Sequence, residues 1–284
     1  MSTTPNILSV DVEELFHAEY VRTALSTSRK VNLSYRTPEN IFEILDILQK
    51  YSCRATFFVV GEIAEKYPQI LYEIERHGHE IAFHGRNHKP LWELDSQAFR
   101  EELEGFKRIY PSCIGFRAPS FSLNNDTKWC MDVLVEECFK YDSSIFPTMT
   151  LLYAAYRAPT HPYRPSKDDV FAQGFDNYNI IEFPLTVYKL GFLKIPAAGG
   201  FWLRLFGPSF VGKAVRKLNK EGFPAVIYIH NWELDLSTPK LEIGFLKGFI
   251  TYHNIKKTRM FLEKLLEEFH FISFKEFLDI NTLD

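Results

Sequence analysis

Apolar and polar positions along the chain alternate between two rhythms. Short, nearly continuous apolar runs such as NILSV (6–10), RATFFVV (54–60), EIAFH (80–84) and PAVIYIH (224–230) read as buried strands. Between them lie longer stretches with apolar residues three and four positions apart, the spacing of one helix face. In TPENIFEILDILQKY the face is Ile41, Ile44, Leu45 and Leu48, with Thr37 as the expected N-cap and Pro38 at the first helical position. EIAEKYPQILYEIERHG, DSQAFREELEGFKRIY, NDTKWCMDVLVEECF, VGKAVRKLNKEG and GFITYHNIKKTRMFLEKLLEEF are each expected to be one helix. IGFRAP, YDSSIFP and HFISF complete the strands, and KEFLDI closes the chain as a short helix.

Repeated strand–helix alternation points to an α/β fold, a parallel sheet with helices outside it, open or closed into a barrel. The rhythm breaks over roughly 148–212, which is rich in Pro, Gly and aromatics and reads as an insertion with short strands. No repeat or linker appears, so residues 1–284 are expected to form one domain.

Composition narrows the function classes. With 33 basic and 36 acidic residues the chain has no nucleic-acid footprint. No apolar run approaches the length of a membrane span. The first residues lack a basic segment followed by a long apolar stretch, and the four cysteines are scattered. A soluble, cytoplasmic protein is therefore expected.

Four of the apolar strands end in residues that a core would not choose. ILSVD runs into Asp11, Glu13 and Glu14; EIAFHGRNH ends in His84 with His88 four positions on; CIGFRAP ends in Arg117; AVIYIHNWE ends in His230. In parallel strand–helix architectures, chemistry gathers at the carboxyl ends of the strands. His84 and His88 together with one of the three acids would form a two-histidine, one-carboxylate metal set with open positions. Arg117 would hold a carboxylate ionised. His230 suits a general acid, with Glu233 or Asp235 to orient it. His77 and His79 precede their strand and read as structural.

Taken in order, LSVDVEELFH, ATFFVVG, HEIAFHGRNH, GFRAPSFS, YDSSIFP and VIYIHNWELD resemble the NodB-homology polysaccharide deacetylases, carbohydrate esterase family 4. Among these the subgroup found with exopolysaccharide and exosortase systems is the most similar. The resemblance implies a distorted (β/α) barrel of about seven strands and a divalent metal, usually zinc. The implied reaction is hydrolysis of the N-acetyl group of an amino sugar. By the same likeness Asp11 is the catalytic base, His84 and His88 are metal ligands, Arg117 positions the base with Asp142 in support, and His230 protonates the leaving amine.

The family's commoner motif has a second aspartate where this chain has Val12, so the third ligand is Glu13 or Glu14. Strand alternation favours Glu13, which shares a face with Asp11 if the strand persists; Glu14 serves if the chain turns at Val12. The segment after Ala158 resembles the subgroup's own insertion, and its aromatics could line a sugar groove with Arg164 or Arg204 near an anionic group. The expected partner is an N-acetylated carbohydrate, polymeric or linked to a lipid or nucleotide, handled near a membrane-bound glycan assembly system. A hydrolase of small linear or cyclic amides, or a carbohydrate-binding protein without turnover, are the competing readings.

Overall fold

The computed structural model describes residues 4–25, 36–150 and 154–281. Its wall is built from parallel strands β1 (Asn6–Val12), β2 (Thr56–Val59), β3 (Glu80–Phe83), β4 (Gly115–Phe116), β5 (Tyr141–Asp142) and β6 (Ile181–Glu182). A two-stranded hairpin, β7 (Val187–Leu190) and β8 (Leu193–Pro196), interrupts the series before β9 (Val226–His230). Pairing runs β9-β1-β2-β3-β4-β5-β6, and β10 (Phe271–Ile272) adds to Asn6 and Ile7 at the base of β1. The curled wall closes where Thr186 donates its N–H to the Val226 carbonyl (3.2 Å) and accepts the Val226 N–H on Oγ1 (2.8 Å). The result is an α/β fold whose seven-strand parallel wall is the expected distorted barrel.

The helices wrap outside. α1 (Glu19–Leu25) and α2 (Thr37–Lys50) follow β1; α3 (Gly61–Lys66) and α4 (Pro68–Arg76) follow β2; α5 (Ser96–Ile109) and α6 (Trp129–Glu136) follow β3 and β4. Later come α7 (Gly200–Phe206), α8 (Pro208–Lys220), α9 (Phe245–Tyr252), α10 (Thr258–Glu268) and α11 (Phe274–Ile280). α5 shows why these sequences become helices: Asp95 accepts the Ala98 N–H at 2.8 Å, and Phe99, Leu103 and Phe106 form one buried face. Phe274 of α11 plugs the amino end of the barrel, with the rings of Tyr141, Phe183 and Phe58 at 4.8, 5.2 and 5.6 Å.

The structure corrects several sequence expectations. The helix expected over 62–78 is broken into α3 and α4, because Pro68 restricts Tyr67 (φ −129, ψ 61) to a non-helical conformation. The long helix expected over 248–269 is likewise divided between α9 and α10, where Asn254 is left-handed at φ 51. Thr37 is not an N-cap; its hydroxyl donates to Glu14 Oε1 at 2.5 Å. The segment 148–212, of which 151–153 lie outside the described residues, also supplies β6 to the wall and α7 to its outside. A two-residue strand carries no periodicity, so β6 left no signal in the sequence.

Candidate active site

At the carboxyl end of the barrel, parallel register sets Asp11 on β1 beside His230 on β9 and Phe58 on β2. Asp11 Oδ1 accepts from Arg117 Nη1 at 2.6 Å. The guanidinium is fully buried and its other hydrogen bonds go to Ser9 Oγ (2.9 Å), the Ser143 carbonyl (2.9 Å) and Ser143 Oγ (3.0 Å). Its carbon lies 4.1 Å from the centre of the Phe58 ring, a cation–π contact that helps replace lost hydration. Arg117 is thus a fixed positive partner for Asp11.

Glu13, His84 and His88 converge beside this pair, and the ligand atoms they offer lie within 4.8 Å of one another. His84 Nδ1 lies 2.8 Å from the Arg117 carbonyl, which fixes that nitrogen as the donor and leaves Nε2 with a lone pair. His88 reaches Glu13 Oε2 with its Nε2 at 2.7 Å. The His88 backbone is left-handed (φ 53), a costly conformation for a non-glycine residue and one that clusters at functional sites. Gly85 makes the turn that places it: φ is 71 there, and a Cβ would stand 2.8 Å from Pro119.

Glu13 Oε1 accepts from Trp232 Nε1 (3.1 Å), and the Glu13 N–H donates to Asn231 Oδ1 (2.9 Å), so loop 231–234 fixes this acid. Burial raises the Glu13 pKa, but the positive fields of His88 and His230 prevail and hold it below the usual carboxylate range. Burial lowers His84 to about 4, the neutral form that a metal ligand needs. Buried Glu13 Oε2 has the His88 contact but no aligned hydrogen bond. One carboxylate oxygen left over among imidazole nitrogens fits a divalent cation.

His230 lies between Glu13 and Glu233: Nε2 is 3.7 Å from Glu13 Oε1 and Nδ1 is 3.3 Å from Glu233 Oε2. Burial lowers its pKa, but Glu13 and Glu233 prevail and raise it to about 9. Glu233 also accepts the His230 N–H at 2.9 Å and is itself paired with buried Arg204. Against the effect of burial, Arg204 and His230 hold the Glu233 carboxyl near 2. Arg204 further donates to the carbonyls of His253 (2.8 Å), Ile250 (3.0 Å) and Thr251 (3.2 Å) and so ties α7 to the end of α9. Gly200 permits this closeness, since a Cβ there would overlap the Glu233 carboxylate.

The other expected residues are placed elsewhere. Glu14 is turned away, accepting the N–H groups of Arg36 and Thr37 at 3.1 Å each at the start of α2. Asp142 lies behind Arg117 without a hydrogen bond to it; it accepts from Ser144 Oγ (2.6 Å) and faces Glu182 across β5–β6. Burial raises both carboxyls of that pair. It is Ser143, the next residue, that touches the guanidinium. Asp235 pairs with Arg36 at 2.6 Å, so Glu233 is the acid at His230. Arg164 donates to Asn179 on the surface, and Arg204 is consumed by Glu233 rather than offered to an anion. His79 accepts the Ala55 N–H and His77 bonds the Glu73 carbonyl, both structural. Trp232 was not expected as part of the site, and Arg204 was expected beside an anionic group of the substrate rather than beside Glu233.

These residues floor a cavity of about 490 Å³ whose walls include Phe121, Tyr228 and Trp232 with side chains of α7 and α9.

A family model described as Polysaccharide deacetylase matches residues 31–129, and one described as a domain of unknown function (DUF3473) matches 143–279. The first takes in His84, His88 and Arg117 and the second His230, while Asp11 and Glu13 precede both and Asp142 falls between them. A peptidoglycan-N-acetylglucosamine deacetylase of Bacillus cereus is 33% identical over 97 residues, 32% of this chain and 35% of that protein. A chitooligosaccharide deacetylase of Sinorhizobium fredii is 31% identical over 102 residues, 34% of this chain and 47% of that one. The chain thus matches less than half the length of these relatives. In fold it is similar to a crystal structure described as a polysaccharide deacetylase of Mycobacterium smegmatis, with TM-score 0.57 and 20% identity, covering 98% of this chain and 90% of that one. Over residues 31–129 the chain is thus similar to polysaccharide deacetylases in sequence, and its barrel is similar to theirs in fold.

Proposed function

We propose that the protein is a metal-dependent N-deacetylase that hydrolyses the acetamide of an amino sugar, in a polysaccharide or in its lipid- or nucleotide-linked precursor, and releases acetate. The observation that carries this reading is the meeting, at one barrel edge, of the Glu13–His84–His88 cluster with the Asp11–Arg117 and His230–Glu233 pairs. The names of the relatives, an N-acetylglucosamine deacetylase and a chitooligosaccharide deacetylase, support this substrate class. The order Asp11-Val12-Glu13-Glu14 supports placement in the exopolysaccharide-associated subgroup, and four free cysteines suit a cytoplasmic setting.

Glu13, His84 and His88 would hold the cation, zinc by the family resemblance. Bound there, it would supply Lewis acidity toward the acetyl carbonyl and acidify water. Asp11, held in place by Arg117, accepts the proton of the attacking water. His230, protonated near neutral pH by its two carboxylate neighbours, donates from Nε2 to the departing nitrogen. Glu233 holds the imidazole through Nδ1 and so aims the donor. As the C–N bond breaks, nitrogen leaves as the free amine and the acetyl carbon as acetate.

The test is acetate release from N-acetylated chitooligosaccharide by the purified, zinc-loaded chain, alongside Asp11→Asn. Turnover that disappears in the variant with metal content unchanged supports the assignment. Full activity in Asp11→Asn, or no acetate from any N-acetylated saccharide, overturns it.

A further inference from the structure

A strip of rings leads out of the cavity. Phe249 of α9 meets Phe201 of α7 at 6.2 Å, Phe201 meets Trp202 at 4.8 Å, and Trp202 stacks on Phe206 at 5.9 Å. Phe206 continues to Phe210 of α8 at 4.8 Å, and Phe210 to Tyr188 of β7 at 5.4 Å. Both ends of the strip carry large apolar side chains in the open. At the β7–β8 tip, Phe192 is 83% exposed beside Leu190 and Leu193; at the start of α9, Phe245 is 90% exposed beside Leu246. The tip is a two-residue turn in which Gly191 takes the positive φ of 58, leaving the other position to a phenyl ring where polar residues are usual. An apolar strip of this extent marks a surface that something covers.

Charge identifies the occupant. From Val187 to Lys220 the chain has seven Lys and Arg residues and no Asp or Glu, within a protein whose net charge is −3. Arg204 and Arg216 are paired with Glu233 and Glu268, Lys194 and Lys217 donate to backbone carbonyls, and Lys189, Lys213 and Lys220 remain on the same elements. Apolar tips within this basic collar, bordered in sequence by Glu221 and Glu242, are complementary to an anionic lipid surface. A second copy is disfavoured, because a two-fold pairing would bring the same collar against itself.

We propose that this face docks on an anionic phospholipid bilayer, with the β7–β8 tip and the first turn of α9 entering the headgroup layer. The cavity mouth then opens at the membrane, and the saccharide it takes is one carried there on a lipid; this second half rests on the deacetylase reading, whereas docking does not.

The test is flotation of the full chain with vesicles of phosphatidylcholine alone and of equal parts phosphatidylcholine and phosphatidylglycerol. Binding is expected only with phosphatidylglycerol, weakened about tenfold by Phe192→Ser and about fivefold by Lys213→Gln. Both variants should keep the wild-type melting temperature and release acetate from a soluble chitooligosaccharide at the wild-type rate. No binding to either vesicle, binding indifferent to both substitutions, or a dimer that Phe192→Ser dissociates in sedimentation overturns the docking. Vesicle binding without acetate release from any saccharide would fail the catalytic reading and leave docking in place.

Discussion

The two ends of the barrel both bury acids and histidines, and they use them in opposite ways. At the amino end, Glu80 accepts from the hydroxyls of Thr56 (2.5 Å) and Tyr141 (2.8 Å) and from the Lys275 N–H (2.9 Å). His79 beside it accepts the Ala55 N–H. At the carboxyl end, Glu13 keeps an oxygen without an aligned hydrogen bond and faces three imidazoles. Burial is common to both ends, so burial of charge does not mark a site. What separates them is saturation: the amino end spends its donors and acceptors on holding strands and α11 together, and the carboxyl end leaves them aimed into a cavity.

The largest effect that would sharpen this contrast is Asp11→Asn, which should lower kcat by about a thousandfold with bound zinc unchanged. Next, Glu13→Gln should weaken zinc binding by more than about a hundredfold, measured by competition with a chelating dye. Glu80→Gln should leave zinc binding untouched while lowering the melting temperature. Zinc affinity that responds equally to both substitutions would erase the distinction.

A third effect is acid sensitivity at the amino end. Burial lowers His79 from 6.5 to about 4, so the unfolded chain takes up a proton that the folded chain refuses. Stability must therefore fall as pH drops through that window, by about 3 kcal/mol. Urea midpoints compared between the wild type and His79→Gln at both limits should show the variant losing less. The smallest effect is Trp232→Phe, which removes the donor to Glu13 and should weaken zinc about tenfold; Tyr141→Phe, its counterpart at Glu80, should leave zinc alone.

What the sequence disclosed followed from the strand ends. Asp11, His84, Arg117 and His230 each terminate an apolar run, and parallel pairing alone brings such ends together. Period-two alternation also separated Glu13 from Glu14, because β1 persists to Val12. The Arg204–Glu233 pair was hidden since its members belong to different elements, 29 positions apart, and only packing of α7 against β9 joins them. Asp142 was legible as a buried acid but not as Ser144's acceptor, because one residue of register decides whether it or Ser143 meets Arg117. Thr37 failed as a cap because the helix already begins on it, with Arg36 as the N-cap, and its hydroxyl and amide both go to Glu14, 23 positions upstream.

That acid has a consequence for how the chain can change. By gripping the N–H groups of Arg36 and Thr37, Glu14 staples the two ends of the excursion between β1 and α2 at their base. On the described side of that grip, Ala18, Glu19 and Tyr20 line the cavity. Substitutions there can retune specificity at this rim while Asp11 and Glu13 stay in register and the chemistry beneath is untouched.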